Sequence, residues 1–291
     1  MSRRGWLLFV ALGVIWGLPY LLIKVAVREV SPTLLVLMRT GGGAVLLVPV
    51  AAARHALRPL LAHWRALLAY TTAELGIPWY LLFTAERRLS SSLSALIVAA
   101  VPLAGAILAR ATGTDHLDAR RLTGLLIGFG GVGVLVGVDV GRSDLLAALS
   151  LGGVAAGYAL GPWILSHHLS DLPAIGVVAG SLTLCAVVYS PLAAFALPSG
   201  QLSASVVWSV IGLTLVCTVL AFLAFFALVA EVGPMRATII TYVNPAVAVL
   251  LGVSILGEGF GPATGAGFVL ILAGCFLATR HSPVPAPVAE P

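Results

Sequence analysis

Charged side chains are scarce in this sequence. Asp, Glu, Lys and Arg make up 9% of its 291 residues, whereas an ordinary soluble domain carries about 25%. Lys24 is the only lysine. So few charges cannot cover a water-facing surface, and 60% of the residues are hydrophobic. The composition therefore indicates an integral membrane protein.

Other absences narrow the classes of function. The chain has no Walker A loop, which argues against ATP-driven work. It also lacks H-E-x-x-H and G-x-S-x-G, which argues against a membrane-embedded enzyme. Its net charge of +5 comes without a basic patch interleaved with aromatics, so no nucleic acid is expected. Neither a metal nor a cofactor is expected, because no cysteine has metal-ligand spacing; the cysteines, all within apolar runs, are Cys185, Cys217 and Cys275.

Apolar runs of membrane-spanning length follow one another along the chain. A bilayer core about 30 Å thick needs roughly 20 helical residues, and these runs do not alternate as the strands of a transmembrane barrel do. We predict an all-α membrane protein with ten transmembrane helices near 6–27, 33–53, 65–84, 93–110, 120–138, 144–166, 174–196, 205–229, 235–256 and 263–279. The first run is expected to be a span and not a cleaved signal peptide. The Pro- and Ala-rich tail, 281–291, is expected to be disordered.

Basic residues in the gaps between runs indicate an orientation. Ten helices place both termini on one side of the membrane. That side holds ten basic residues, Arg3, Arg4, Arg54, Arg58, Arg65, Arg110, Arg120, Arg121, Arg236 and Arg280, and the other side holds five, Lys24, Arg28, Arg87, Arg88 and Arg142. Since basic loops stay in the cytoplasm, we predict a multi-pass protein of the plasma (inner) membrane with both termini cytoplasmic.

The two halves of the chain resemble each other. Pro102 and Pro245 are each followed at the same three distances by an acid, a glycine and a second glycine: Asp115 and Glu258, Gly124 and Gly267, Gly131 and Gly274. Upstream, Ala85-Glu86 resembles Ala230-Glu231 with a two-residue adjustment. Five helices per half is an odd number, so the second half enters the membrane from the opposite side. We therefore predict two inverted five-helix repeats, 6–138 and 144–279, an architecture characteristic of secondary transporters.

Two stretches carry a resemblance to a known family. "IWGLPYLLIKVAVREVSPTLLVLMR" and "YVNPAVAVLLGVSILGE" are similar to the drug/metabolite transporter superfamily in its EamA-type branch. The resemblance covers about 6–279 as two EamA repeats. The first repeat departs from the pattern, because "ATGTDH" holds Asp115 where the family usually has LGE.

The resemblance implies transport of small metabolites, often export of amino acids or related compounds. We expect a secondary transporter that exports amino-acid-like solutes by alternating access. Its partners would be a small-molecule substrate and the lipid bilayer, with either proton coupling or substrate exchange as the drive. A membrane-embedded enzyme and a channel without carrier activity are the alternatives. The sequence does not indicate an oligomeric state.

Charged residues inside the runs are candidates for the site. Glu74 lies midway along the third run, where a carboxylate must face a cavity or a partner. It either couples protons or binds a substrate amine, or it is a protonated acid bonded to a neighbouring helix. Arg39 either binds a substrate carboxylate, pairing with Glu74 when the site is empty, or it snorkels or forms a fixed ion pair. Lys24 either anchors its span at the interface or takes the place of a lysine common in the resembled family.

Gly and Pro interrupt the first helix of each half, in "IWGLPY" and "YALGPW". Interrupted helices in matching positions point to the central site of a transporter. We therefore predict that four aromatic side chains of these breaks approach a shared midplane cavity: Trp16, Tyr20, Tyr158 and Trp163. Trp79 and Tyr80 are predicted to line it as well. The alternative for all six is core packing.

Polar and small residues complete the predictions. Asn244, which precedes Pro245, either binds a polar substrate or satisfies the carbonyl freed near Thr241. Two G-x-x-x-G pairs are expected to allow close helix packing: Gly124 with Gly128, and Gly261 with Gly265. The stretch "SHHLSD" is interpreted as the end of a span and not as a metal site.

Overall fold

The computed structural model describes residues 2–113, 118–139, 141, 144–198, 200–232, 240 and 243–279, and every regular element within them is helical. The α-helices are α1 (Arg3–Ala26), α2 (Pro32–Ala53), α3 (Trp64–Thr71), α4 (Ile77–Glu86), α5 (Ser91–Val98), α6 (Val101–Ala111), α7 (Ala119–Asp139), α8 (Leu145–His168), α9 (Ala174–Ala194), α10 (Ala204–Ile211), α11 (Ala221–Val232), α12 (Asn244–Leu256) and α13 (Pro262–Thr279). A 3₁₀-helix, Arg58–His63, precedes α3. Two π-helical segments, π1 (Thr72–Gly76) and π2 (Gly212–Leu220), join α3 to α4 and α10 to α11.

The helices coincide with the predicted apolar runs to within a few residues wherever the structure describes them. Seven described stretches are long and apolar enough to cross a membrane: Arg3–Ala26, Pro32–Ala53, Ser91–Ala111, Ala119–Gly137, Leu145–His168, Ala174–Ala194 and Ala204–Val232. Asn244–Leu256 and Pro262–Ala278 are shorter apolar helices. An all-α, multi-pass membrane protein is thus confirmed, and ten crossings stay a prediction. The start of the ninth run and the tail lie outside the described residues.

The third run is not the single helix that we predicted over 65–84. It consists of α3, π1 and α4, and the interruption lies just before Pro78. Proline has no backbone N–H, and its ring collides with the carbonyl four residues earlier, here that of Glu74. A π-helical turn relieves such a collision by widening the helix locally. The eighth run is interrupted in the same way by π2, so both halves carry a π segment in their third helix.

The turn after α12 caps the start of α5. Gly257 ends α12 in the left-handed conformation, with φ of 67°, which a residue with a side chain adopts only with strain. The turn brings the Glu258 carboxylate onto the first amides of α5: Oε1 accepts from the Ser91 N–H at 2.7 Å, and Oε2 accepts from the Ser92 N–H at 2.9 Å. The Ser92 hydroxyl adds a third bond at 2.6 Å. A negative charge at a helix N-terminus is stabilising.

Glycines bring α7 and α13 into close antiparallel contact. A Cβ on Gly124 would lie 2.6 Å from the Ala278 nitrogen, and one on Gly131 would lie 2.7 Å from the Gly267 carbonyl oxygen. The backbones therefore touch where those side chains are missing. Gly274 lies against Gly124 in the same seam, seven residues and two turns from Gly267.

The expected G-x-x-x-G packing is confirmed in α7 and wrong in α13. Gly128 packs on the Leu103 side chain, where a Cβ would lie 2.5 Å from it. In contrast, a Cβ on Gly261 would meet only Thr264, at 3.9 Å, and a Cβ on Gly265 would meet only Phe260, at 3.5 Å. Neither glycine therefore contacts another helix. Because α13 begins at Pro262, Gly261 precedes the helix and Gly265 lies in its first turn, away from the seam.

The remaining helices pack in matched pairs. α2 lies antiparallel along α9, where a Cβ on Gly41 would lie 3.9 Å from Ala186 and one on Gly43 would lie 3.1 Å from Leu182. α1 packs on α12 and on the rod of α10, π2 and α11. α8 packs likewise on α3, π1 and α4, and on α5 and α6. The first helix of each half therefore rests on the third and fourth helices of the other half.

The glycine seam is tested by Gly131→Ala. The added methyl meets backbone atoms of α13, so we expect a loss of about 1–3 kcal/mol from overpacking and a lower Tm in detergent micelles. Gly130→Ala is the matched control, because a Cβ at the adjacent position meets no atom within 4 Å. Equal melting temperatures for the two variants would contradict a close α7–α13 contact.

The Glu258 cap predicts a loss of stability in acid. Burial alone would raise the pKa of Glu258, but hydrogen bonds from the Ser92 side chain and from the Ser91 and Ser92 amides outweigh it and hold that pKa below its ordinary value. A carboxyl with a lowered folded-state pKa stabilises the fold above its unfolded-state pKa, and this contribution disappears as the pH falls through the folded-state pKa. Thermal unfolding followed against pH should show this step in the parent chain and a smaller one in Glu258→Gln. An identical pH profile for the two chains excludes the cap.

Candidate functional site

Arg39 lies in α2 with only 6% of its surface exposed. Its Nε donates to the Thr218 hydroxyl oxygen at 2.9 Å, and its Nη2 donates to the Cys217 carbonyl oxygen at 3.4 Å. The guanidinium carbon lies 3.7 Å from the centre of the Trp79 ring, a cation–π contact. Among the described residues no carboxylate forms an ion pair with Arg39, so the expected pair with Glu74 is not made. Neutral groups thus hold the guanidinium, and its charge is available to an anion.

Both hydrogen-bond partners of Arg39 belong to π2. In a π-helix the backbone bonds reach five residues back, and the Thr218 hydroxyl likewise donates to the Leu213 carbonyl, five residues earlier, at 2.9 Å. π1 receives a corresponding bond: the Tyr189 hydroxyl, on α9, donates to the Gly76 carbonyl at 2.9 Å. Each π segment therefore accepts a side-chain donor from the second helix of the opposite half.

Glu74 lies within π1, and its carboxylate packs on Gly161 of α8. Any Cβ at position 161 would collide with that carboxylate. Gly161 belongs to "YALGPW", where we predicted an interrupted helix; that prediction is wrong, because α8 runs unbroken from Leu145 to His168. The missing side chain at Gly161 makes room for the acid of the first half. Oε2 of Glu74 is buried with no hydrogen-bond partner among the described residues. A bond from a neighbouring helix to this oxygen, the structural alternative, is not formed.

The other stretch, "IWGLPY", also lies within an unbroken helix, α1, contrary to the prediction, and it packs on α12. A Cβ on Gly17 would lie 3.0 Å from the Asn244 carbonyl oxygen. With its amide nitrogen turned towards them, the Asn244 side chain donates to the Ile240 carbonyl at 3.1 Å and to the Gly13 carbonyl at 3.2 Å. These bonds favour the interpretation that Asn244 satisfies backbone groups. Thr241 lies outside the described residues.

Tyr158, on α8, is a neighbour of both Glu74 and Arg39. Its hydroxyl interacts electrostatically with each of them, and it contacts Trp79. Tyr20, a buried residue of α1, interacts in turn with Tyr158. The structure therefore brings five of the predicted residues together, and we call them the central cluster: Tyr20, Arg39, Glu74, Trp79 and Tyr158.

Three predicted aromatics lie outside the central cluster. Trp16 packs on α11, with a ring-centroid distance of 5.0 Å to a phenylalanine of that helix. Trp163 stacks on His167, near the end of α8, with a distance of 4.6 Å between the ring centroids. Tyr80 is 40% exposed. A shared cavity for all four aromatics of the breaks is thus not formed, because Trp16 and Trp163 lie a helical turn or more from the level at which Tyr20 and Tyr158 meet.

Glu86 is a buried acid that our sequence analysis did not select. It ends α4 with no exposed surface and interacts electrostatically with Lys24 and Tyr20. Lys24 donates from Nζ to the Glu86 and Leu89 carbonyl oxygens, both at 2.7 Å. Glu86 adjoins two arginines in the sequence and therefore looks like a solvent-exposed residue of the loop between the third and fourth apolar runs. Its correspondence to Glu231 in the other half was the one signal that could have identified it.

The chain matches a known family along nearly its whole length. Residues 3–137 and 145–280 each match the model of the EamA-like transporter family. Over 257 residues the chain is 30% identical to "Uncharacterized inner membrane transporter YedA" of Escherichia coli (strain K12), and the match covers 85% of this chain and 81% of that protein. It is 26% identical over 292 residues to "Uncharacterized transporter YvbV" of Bacillus subtilis (strain 168), covering 97% of this chain and 93% of that one.

A solved crystal structure shares the fold. It has a TM-score of 0.67 and 20% identity, and the match covers 96% of this chain and 97% of the other. Two family matches in succession agree with the similarity between the two halves of the chain. The resemblance to EamA-type transporters that we found in the sequence is confirmed. The chain belongs to the EamA-like transporter family.

Proposed function

We propose that this protein is a secondary transporter that exports amino-acid-like metabolites by alternating access. The observation that carries the proposal is a buried cation and a buried carboxylate that share Tyr158 as a neighbour without pairing with each other. An amino acid carries the complementary charges: its carboxylate fits the guanidinium of Arg39, and its ammonium fits Glu74. Trp79 and Tyr20 supply apolar surface beside them.

An inverted repeat gives the two halves of this transporter their exchangeable roles. The antiparallel seams of α7 with α13 and of α2 with α9 each join a helix to its counterpart in the other half. When each glycine in the contact of Gly124 with Gly274 is replaced by its counterpart in the other half, the result is the contact of Gly267 with Gly131, as a two-fold relation requires. We propose ten spans in which the halves rock about these seams, so that the central cluster opens to each side in turn.

The arginine bias supports an orientation with both termini in the cytoplasm. In that orientation α1 and the rod of α3, π1 and α4 both end on the outer side. The two π segments, together with Pro78 beside π1, supply the places where the rods can bend, since π turns and proline kinks interrupt regular helices. Export would load the central cluster from the cytoplasmic side.

Counterflow in proteoliposomes tests the carrier function. Vesicles preloaded with unlabelled amino acids are exposed to a tritium-labelled mixture of the proteinogenic amino acids, and a carrier accumulates label transiently and saturably. A channel gives neither accumulation nor saturation. In parallel, the medium of cells that overexpress the protein is profiled for metabolites. If none of the amino-acid-like solutes rises in the medium and no label accumulates, the proposal is wrong.

Arg39→Lys tests the carboxylate contact. Lysine keeps the charge but loses the planar fork and the face that lies on Trp79, so we expect the KM for counterflow to rise roughly tenfold or more. Arg65→Lys is the matched control, because Arg65 also lies over a tryptophan, 5.4 Å from the Trp64 ring centre, but on an exposed surface. If both variants keep the parent KM, Arg39 does not bind substrate.

We also propose that Glu74 carries the coupling proton, and Glu74→Gln tests this role. An amide cannot gain or lose the carboxyl proton, so accumulation driven by a pH gradient should be lost. Counterflow needs no net proton movement and should continue, with a higher KM because the charge that receives the substrate ammonium is gone. Asp171→Asn, an exposed acid after α8, is the control and should retain both. Gradient-driven accumulation by Glu74→Gln would show that Glu74 does not carry the coupling proton.

A further inference from the structure

Glu86 is a carboxyl group that the fold buries without a partner. Its residue has no exposed surface, and neither Oε1 nor Oε2 has a hydrogen-bond partner among the described residues. Its counterpart in the second half, Glu231, is exposed and accepts a hydrogen bond from the Ser2 hydroxyl. The two halves therefore treat the same acid differently, and only the first half keeps it away from water.

Lys24 holds the end of α4 beside this acid. The last carbonyls of a helix have no partner within the helix, and cations near a helix C-terminus are stabilising. Lys24 provides such a cation: its Nζ donates to the Glu86 and Leu89 carbonyl oxygens at 2.7 Å each. An ammonium has three donors, so one remains after these two bonds. Lys24 makes no ion pair with the Glu86 carboxylate in this arrangement.

The surroundings of Glu86 fix its protonation in this arrangement. The charged and titratable groups that act on it are Lys24, Glu258, Tyr20 and Tyr158, from α1, the turn after α12 and α8. An ionised carboxylate that is buried without hydrogen bonds is strongly unfavourable, and such a group takes up a proton instead. If Glu86 ionises, Lys24 is the one cation among these neighbours that can neutralise it.

We infer that Glu86 is a second proton-binding site of the transporter, with Lys24 as its switch. With Glu86 protonated, the Lys24 ammonium stays on the carbonyls of Glu86 and Leu89, as in this structure. When the carboxyl O–H breaks and the proton passes to water, the ammonium moves to the carboxylate and releases the turn between α4 and α5. The inference rests on the proposed transport function, and the ligand it assigns to this site is the proton.

A pocket lies near the site. It has a volume of about 280 Å³ and is lined by Leu89 and Glu258, together with Arg88, Asp144 and others. The Leu89 carbonyl is one of the two acceptors of Lys24, and Glu258 is an electrostatic neighbour of Glu86. In the proposed switch, this pocket is where the proton that leaves Glu86 reaches solvent.

The switch is also connected to the central cluster. Tyr20 precedes Lys24 by four residues on α1, so the two share one helix face. Tyr20 interacts electrostatically with Glu86 and with Tyr158. Tyr20 therefore links Glu86 to the central cluster, so that a change of charge at Glu86 acts on a residue of the substrate site.

Infrared difference spectroscopy on the purified protein in liposomes tests this inference without substrate. The C=O stretch of protonated carboxyl groups is recorded while the bulk pH is raised. Glu74→Gln removes the first proton site, and we expect this variant to keep a band that disappears on alkalinisation. The band should also remain when Glu231→Gln is added to Glu74→Gln, and it should be missing when Glu86→Gln is added instead. Glu231→Gln is the matched control at the equivalent position. A titrating band that survives in the chain with both Glu74→Gln and Glu86→Gln, or the lack of any titrating band in Glu74→Gln alone, overturns the inference.

Lys24→Met gives a second test that does not alter Glu86. Without the ammonium the ionised carboxylate has no counter-charge, so the band should persist to higher pH than in the parent chain. If the band disappears at the same pH in both chains, Lys24 does not neutralise the Glu86 carboxylate after the proton has left. These spectra record no flux. A failure of amino acid counterflow therefore refutes the proposed substrate class and leaves the protonation of Glu86 supported. Conversely, if counterflow is observed and no Glu86 band titrates, the switch is refuted and the proposed transport function is not.

Discussion

The π segments depart from the α-helical hydrogen-bond pattern inside the protein, and hydrocarbon offers no water to satisfy the groups that this leaves. The solution is reciprocal. α2 donates through Arg39 to π2, and α9 donates through Tyr189 to π1. Each half therefore completes the backbone of the other half, and the two cannot separate without exposing polar groups. The placement of the central cluster follows from this exchange, because it brings α2, π1 and π2 together.

The exchange is unequal in charge. The donor to π1 is a neutral phenol, whereas the donor to π2 is a permanent cation, since an arginine in a protein does not lose its proton. The acids show the same inequality: Glu86 is buried and Glu231 is exposed. The two halves are therefore alike in fold and unlike in charge, both at the donor to the π segment and at the acid near the end of the third helix.

Much of this fold could be predicted from the sequence, because apolar runs of bilayer length leave few alternatives to helices. The residues of the central cluster were all selected, since charges, glycines and prolines inside such runs are conspicuous. Their pairing was not predictable. Arg39 meets a hydroxyl, a carbonyl and an indole instead of Glu74, because π2 presents those groups to it. Periodicity also could not locate π1, because that segment depends on how the collision of the Pro78 ring with the preceding turn is avoided. Nor could it show that Glu86, which adjoins two arginines in the sequence, is buried.

Several of the contacts that hold this site end on backbone oxygens. Lys24 donates to the carbonyls of residues 86 and 89, and one bond of Arg39 ends on the carbonyl of residue 217. A main-chain acceptor persists whatever side chain the position carries, so positions 89 and 217 are free to diverge among relatives while the contacts remain. Sequence comparison and alanine scanning will therefore register these contacts only at the donor, and the acceptors will look dispensable.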